Sequence, residues 1–61
     1  MDRQAAIAQL PPTYARLIRL LDAGNENEDL ARRLRLAPEA IGPLVALARA
    51  KLDHILEPQE S

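Results

Sequence analysis

The stretch from Leu36 to Leu56 constrains this chain more than any other. Within it Ile41, Val45, Ala48, Leu52 and Ile55 recur at alternating steps of four and three, which sets one apolar stripe along one face of a helix. The spacing predicts the longest helix of the chain. The outer face carries Ala40, Gly42, Pro43, Leu44 and Leu47, with almost no hydrogen-bonding groups. Pro43 conflicts with the pattern: in a helix interior it removes one backbone hydrogen bond and costs ~3 kcal/mol. Gly42 beside it adds up to ~1 kcal/mol. Two outcomes stay open, a helix that bends at this pair or a single turn over residues 38–41 with the main helix starting at Pro43.

The preceding sequence breaks into shorter helical pieces. Asp2 suits the N-cap of a short leading helix over residues 3–9, which Pro11 and Pro12 stop. Pro11 precedes a proline and is expected to be extended, and Pro12 fits the first position of the next helix. That helix should reach about Asp22, with Tyr14, Leu17, Ile18 and Leu21 inward and Arg16 and Arg19 outward. Gly24 follows where a left-handed residue is wanted. Asn25 and Glu28 read as a capping pair for a third piece. Its first turn holds Glu26, Glu28 and Asp29, its far end Arg32, Arg33 and Arg35, both as the helix dipole favours. Leu30, Ala31 and Leu34 face inward. Two short helices joined through the brief Leu34–Pro38 link form a helix-turn-helix unit. The fold class expected is therefore all-α: one domain over residues 1–61, a small helix-turn-helix bundle of three main helices with a short extra N-terminal helix as an option. The ordered core spans about 3–56, and the polar tail 57–61 is expected to fray.

Size limits what this unit can do. A chain of 61 residues buries only ~60% of the surface it exposes unfolded. Its sixteen Leu, Ile and Val residues suffice for a helical core, and oligomerisation is the remaining way to strengthen it. There is one aromatic, Tyr14, and no cysteine, so neither a disulfide framework nor a thiolate metal site is available. The first ten residues do not have the charged-then-apolar order of a signal peptide. No segment approaches the ~20 apolar residues of a membrane span. A soluble cytoplasmic protein is the plain expectation. The net charge of −1 and pI of about 5.7 count against strong nucleic-acid binding, which rests on phosphate neutralisation.

Residues Leu10 to Leu52 resemble, without a gap, the DNA-binding domain of LuxR-type response regulators. Leu10-Pro11-Pro12 matches the family's Leu-Thr-Pro opening, and Leu17-Ile18-Arg19-Leu20-Leu21 its first-helix core. Gly24, Asn27 and Asp29-Leu30-Ala31-Arg32-Arg33-Leu34 match its Gly, Asn and Glu-Ile-Ala-Arg-Arg-Leu. Leu36, Ile41, Val45 and Lys51-Leu52 follow its apolar frame. The fourth conserved region of bacterial sigma factors is similar too, through Leu10-Pro11-Pro12, Leu30-Ala31, Leu34 and Ala48-Arg49. The resemblance implies a helix-turn-helix fold and DNA-linked function. At the positions that touch DNA in these families the chain departs: Ala37 stands for Ser or Thr, Ala40 for Thr, Gly42 for Lys, Pro43 for a polar residue and Leu44 for Arg or His. Base readout needs donors such as Arg, Lys, Asn or Gln, and none occurs between Leu36 and Ala48.

Two candidate surfaces follow. Ala40, Pro43, Leu44 and Leu47 are candidates for partner binding by helix-in-groove docking, the alternative being burial of the leucines beneath Ile7 and Leu10 of the leading helix. Arg32, Arg33 and Arg35, with Arg16 or Arg19, are candidates for a weak phosphate-binding edge. Their alternative is a solvated helix end paired with Glu26, Glu28 and Asp29. His54 with Asp53 and Glu57 makes a poor metal set, and Tyr14 is expected to pack its ring in the core. With one Thr, one Ser and no Cys, nucleophilic catalysis has little to work with, and no catalytic residue, metal or cofactor is expected. The leading expectation is a transcription-linked module that works by protein contact, with itself, a regulator or RNA polymerase, and has no small-molecule substrate. Sequence-specific DNA binding as a dimer is the alternative, and a scaffold without a partner stays open.

Overall fold

A computed structural model of the chain describes residues 2–57. Four helices make up the described part: α1 Arg3–Ala8, α2 Pro12–Asp22, α3 Asn27–Leu34 and α4 Pro38–Leu56. The all-α expectation holds, the short leading helix included. Except for Glu57, the tail expected to fray lies outside the described residues.

Local chemistry sets most boundaries. The Asp2 carboxylate accepts the Ala5 N–H at 2.9 Å and caps α1, which ends at Ala8, one residue short of expectation. Pro11 is extended (φ −52°, ψ 147°) and Pro12 opens α2, as the double proline requires. Gly24 (φ 95°) closes α2: its N–H donates to the Leu21 carbonyl at 3.0 Å, and the Asn25 N–H to Leu20 at 3.1 Å. This is the pairing of a Schellman stop. The Asn25 side-chain amide adds a bond to the same Leu20 carbonyl at 2.8 Å. Asn25 therefore serves the end of α2, which corrects the expected Asn25–Glu28 cap. α3 instead has Glu26 as its N-cap, whose N–H donates to the Asp29 carboxylate at 3.4 Å.

α4 runs unbroken through Gly42 and Pro43, so the alternative that starts the main helix at Pro43 is overturned. Gly42 supplies the physical reason. A proline ring crowds the Cβ of the residue before it out of the helical region, and glycine has no Cβ to crowd. The carbonyl of Glu39 loses its usual partner, but this face is exposed and water can satisfy it.

α4 packs against all three other helices, and α2 touches both α1 and α3. The core is apolar throughout: Ala6, Ile7, Leu10, Ala15, Leu17, Ile18, Leu30, Ala31, Ile41, Ala48 and Leu52 are buried, and no polar or charged side chain is buried among the described residues. Val45, Ile55, Tyr14, Leu21 and Leu34 pack against it from partly buried positions. The inward stripes read from sequence are in place, widened by Ala6 and Ala15, whose small side chains admit close helix approach. An exposed ion pair, Arg3 with Asp22, ties α1 to the end of α2, and the hydrogen bond to Asp22 raises the Arg3 guanidinium above its ordinary pKa.

Candidate interaction surfaces

The four residues expected to form one partner-binding face are divided by the structure. Leu44 packs against the core from a partly buried position, and Ala40 is also partly buried. Placing Leu44 on the outer face is therefore corrected: beside Ile41, Val45 and Ala48 it widens the inward stripe, as globular helices with three apolar positions per two turns do. Pro43 is exposed. Leu47 keeps 50% of its surface exposed and is the most exposed large hydrophobic side chain among the described residues.

Leu47 does not stand alone. It lines an open groove of about 380 Å³ with Gln9, Leu10 and Pro11 of the α1–α2 link and Ala50, Lys51, His54 and Ile55 of α4. Leu47, Ala50, Lys51 and His54 occupy successive turns of one helix face, a spacing visible in the sequence. The part played by Leu10, Pro11 and Ile55 needed the tertiary fold. Lys51 lies 5.6 Å from the centre of the Tyr14 ring, which fixes the ammonium at the groove's edge by cation–π attraction. His54 thus belongs to an apolar groove, and among the described residues no three His, Asp or Glu side chains converge as metal ligands would.

The candidate arginines belong to α2, α3 and the link after α3. Arg32 pairs with Asp29 at 2.6 Å along α3. That bond, with the Glu26 N–H as second cause, holds the Asp29 carboxyl below the ordinary carboxylate pKa. Arg16 of α2 donates to the Arg33 backbone carbonyl at 3.4 Å and so helps close the end of α3. Arg19, Arg33 and Arg35 are exposed, and no side-chain hydrogen bond or ion pair ties them to another described residue. Of the paired helix end that stood as the alternative to a phosphate edge, Arg32 with Asp29 is the pair that forms.

Arg35 has a feature the sequence did not announce. Its backbone is left-handed (φ 58°, ψ 46°), the only non-glycine residue with positive φ among those described. The next residue, Leu36, is 36% exposed. It forms a ridge between two clefts: one of about 340 Å³ with Glu28, Ala31, Arg32 and Pro38, the other of about 360 Å³ with Pro12, Thr13, Arg16 and Leu34. No helix among the described residues is long and apolar enough to cross a membrane. Set against known protein families, curated proteins and solved structures, the chain has no match.

Proposed function

We propose that this chain is a transcription-linked helix-turn-helix module that acts by protein contact, with α3, the link 35–37 and α4 as its helix-turn-helix unit. A second copy, a LuxR-type regulator or RNA polymerase is the partner. One observation carries the reading: the half-exposed Leu47 lies in an apolar groove with Leu10, Ala50 and Ile55. The exposed side of α4 before it, Gly42, Pro43 and Ala46, offers no donor that could read a base edge. An amphipathic helix laid in such a groove by its apolar face is a recurring way for helical proteins to meet. The experiment is sedimentation equilibrium of the chain over a wide concentration range, alone and with purified RNA polymerase. Association that Leu47→Asp abolishes, with helix content unchanged, supports the reading. A chain that stays monomeric and ignores polymerase sinks it.

A second reading, DNA binding through the α2–α3 arginines, draws on Arg19, Arg33 and Arg35, exposed and without an ion pair among the described residues, and on the LuxR resemblance. Two or three such contacts give only weak, salt-sensitive affinity. Mobility shifts at low salt that vanish when Arg33 and Arg35 become Ala would favour it over the first.

A further inference from the structure

The Leu47 groove has one sign of charge. Its floor is aliphatic, from Leu10, Leu47, Ala50 and Ile55, and the only ionisable side chains among its described lining residues are Lys51 and His54. Both are exposed, and neither makes an ion pair among the described residues. No Asp or Glu lines it, although the chain has nine of them against eight Lys and Arg. The cleft on the other side of α4 differs: it sets Arg3 and Arg49 beside Asp22 and Asp53, so its charges balance internally. Lys51 is also held in place, 5.6 Å from the centre of the Tyr14 ring. Attraction to a ring face leaves an ammonium its N–H donors for a carboxylate on the open side. A cation already positioned loses less side-chain freedom when that carboxylate arrives. His54 lies one turn further along α4, and its neutral ring carries one N–H donor. The groove follows α4 from Leu47 to Ile55, ~12 Å of axis at ~1.5 Å per residue, the length of two helical turns.

We propose that the partner seated in this groove is an acidic amphipathic helix. Its aliphatic side chains lie along Leu10, Leu47 and Ile55, and carboxylates beside that stripe accept from Lys51 and His54. The proposal rests on the reading of the groove as a protein-contact surface and adds the chemistry of the partner. Charge complementarity decides the occupant, because the groups that carry the charge line the groove themselves. A second copy docked by a two-fold axis brings the same patch to both sides. It would set Lys51 and His54 against a face that holds no carboxylate. A nucleic acid supplies the negative charge, but its phosphate backbone has nothing apolar to place on Leu10, Leu47 and Ile55.

The test uses three labelled helical peptides with leucine along one face at steps of three and four. The positions beside that stripe are all Glu, all Gln or all Lys. Fluorescence anisotropy reads their binding to the full chain. The Glu peptide should bind about threefold to fivefold tighter than the Gln peptide, the scale of one exposed charge pair, and the Lys peptide should bind most weakly. Added salt should narrow the gap. Lys51→Gln should bring the Glu peptide toward the affinity of the Gln peptide and leave the Gln peptide unchanged, with helix content the same by circular dichroism. Leu47→Ala should weaken all three. Equal affinities that Leu47→Ala still weakens overturn the acidic partner and leave the protein-contact reading standing. No binding by any peptide overturns the proposal, and the sedimentation experiment decides the broader reading separately. A Glu preference that survives Lys51→Gln and His54→Gln together also overturns it. So does self-association through the groove that the Glu peptide fails to displace, or a random-sequence DNA duplex that displaces the Glu peptide.

Discussion

α2 and α3 end on the same hydrogen-bond pattern with opposite residue choices. After α2 the N–H groups of Gly24 and Asn25 donate to Leu21 and Leu20, and after α3 those of Arg35 and Leu36 donate to Arg32 and Ala31. One residue at each junction is left-handed, Gly24 at φ 95° and Arg35 at φ 58°. Their starts are opposite too. α2 opens on Pro11 and Pro12 with no side-chain cap, whereas α3 opens with a carboxylate, Asp29, taking the Glu26 N–H. Thus α2 is locally fitted at its stop and α3 at its start. The geometry of such a stop is dictated by carbonyls that need partners and by the chain having to turn back onto the core. Where packing enforces it, the residue at the left-handed position is released for other use.

The comparison breaks most severely if packing does not hold α3 in place. Leu30 is fully buried, and Leu30→Ala should cost about 2–5 kcal/mol, enough to unfold most of so small a domain. Chemical denaturation followed by circular dichroism reads this directly, and a cost below that range would mean α3 is not anchored by its core face. Gly24→Ala should cost about 1 kcal/mol, the balance of left-handed strain against a less flexible unfolded chain. An added Cβ there meets nothing within 4 Å, so conformation alone decides the loss. Arg35→Gly should move the other way, by up to about 1.5 kcal/mol: relief of ~1–2 kcal/mol less the ~0.5–1 kcal/mol entropy cost of glycine. Opposite signs at two matching junctions are the sharpest outcome of this set. A loss at both would mean the Arg35 side chain stabilises the fold itself.

Much of the framework was legible because proline, glycine and a capping aspartate act locally. Asp2, Pro12, Gly24 and Pro38 each mark a boundary through their own backbone chemistry, and the steps of three and four identified Leu17, Ile18, Leu30, Ile41 and Leu52 as core. The misses came where the outcome depends on a partner distant in sequence or on two local options of similar energy. Asn25 can cap the helix after it or bond the helix before it, and its amide takes the second lone pair of the Leu20 carbonyl that already accepts its own backbone N–H. Leu44 and Leu47 look alike in sequence, but only Leu44 turns toward the core. The apolar groove was half legible, since Leu47, Ala50 and Lys51 share a face, whereas Leu10 arrives from a different helix end. A left-handed arginine could not be read at all, because nothing in its residue type favours that conformation.

The smallest effect tests the start of α3. The Asp29 carboxyl is held below its ordinary pKa first by its hydrogen bond from Arg32 and then by the Glu26 N–H. A group with a depressed folded-state pKa stabilises the fold where the unfolded carboxylate is already ionised. That contribution is lost as pH falls through the lower, folded-state value. Stability from this source is therefore flat near neutrality and declines only in the acid range below the usual carboxylate pKa. Asp29→Asn should remove this component of the acid-side slope and should lower stability near neutrality, where the carboxylate's contribution is fully present. The loss is limited to what its charge and the Arg32 bond supply, because the amide oxygen can still accept the Glu26 N–H. Thermal melts of parent and variant across that range provide the measurement. α2, whose start rests on prolines, has no carboxylate in its first turn and so offers no matching term. An unchanged acid-side slope in Asp29→Asn would show that α3, like α2, is held by its core face and its stop rather than by charge at its start.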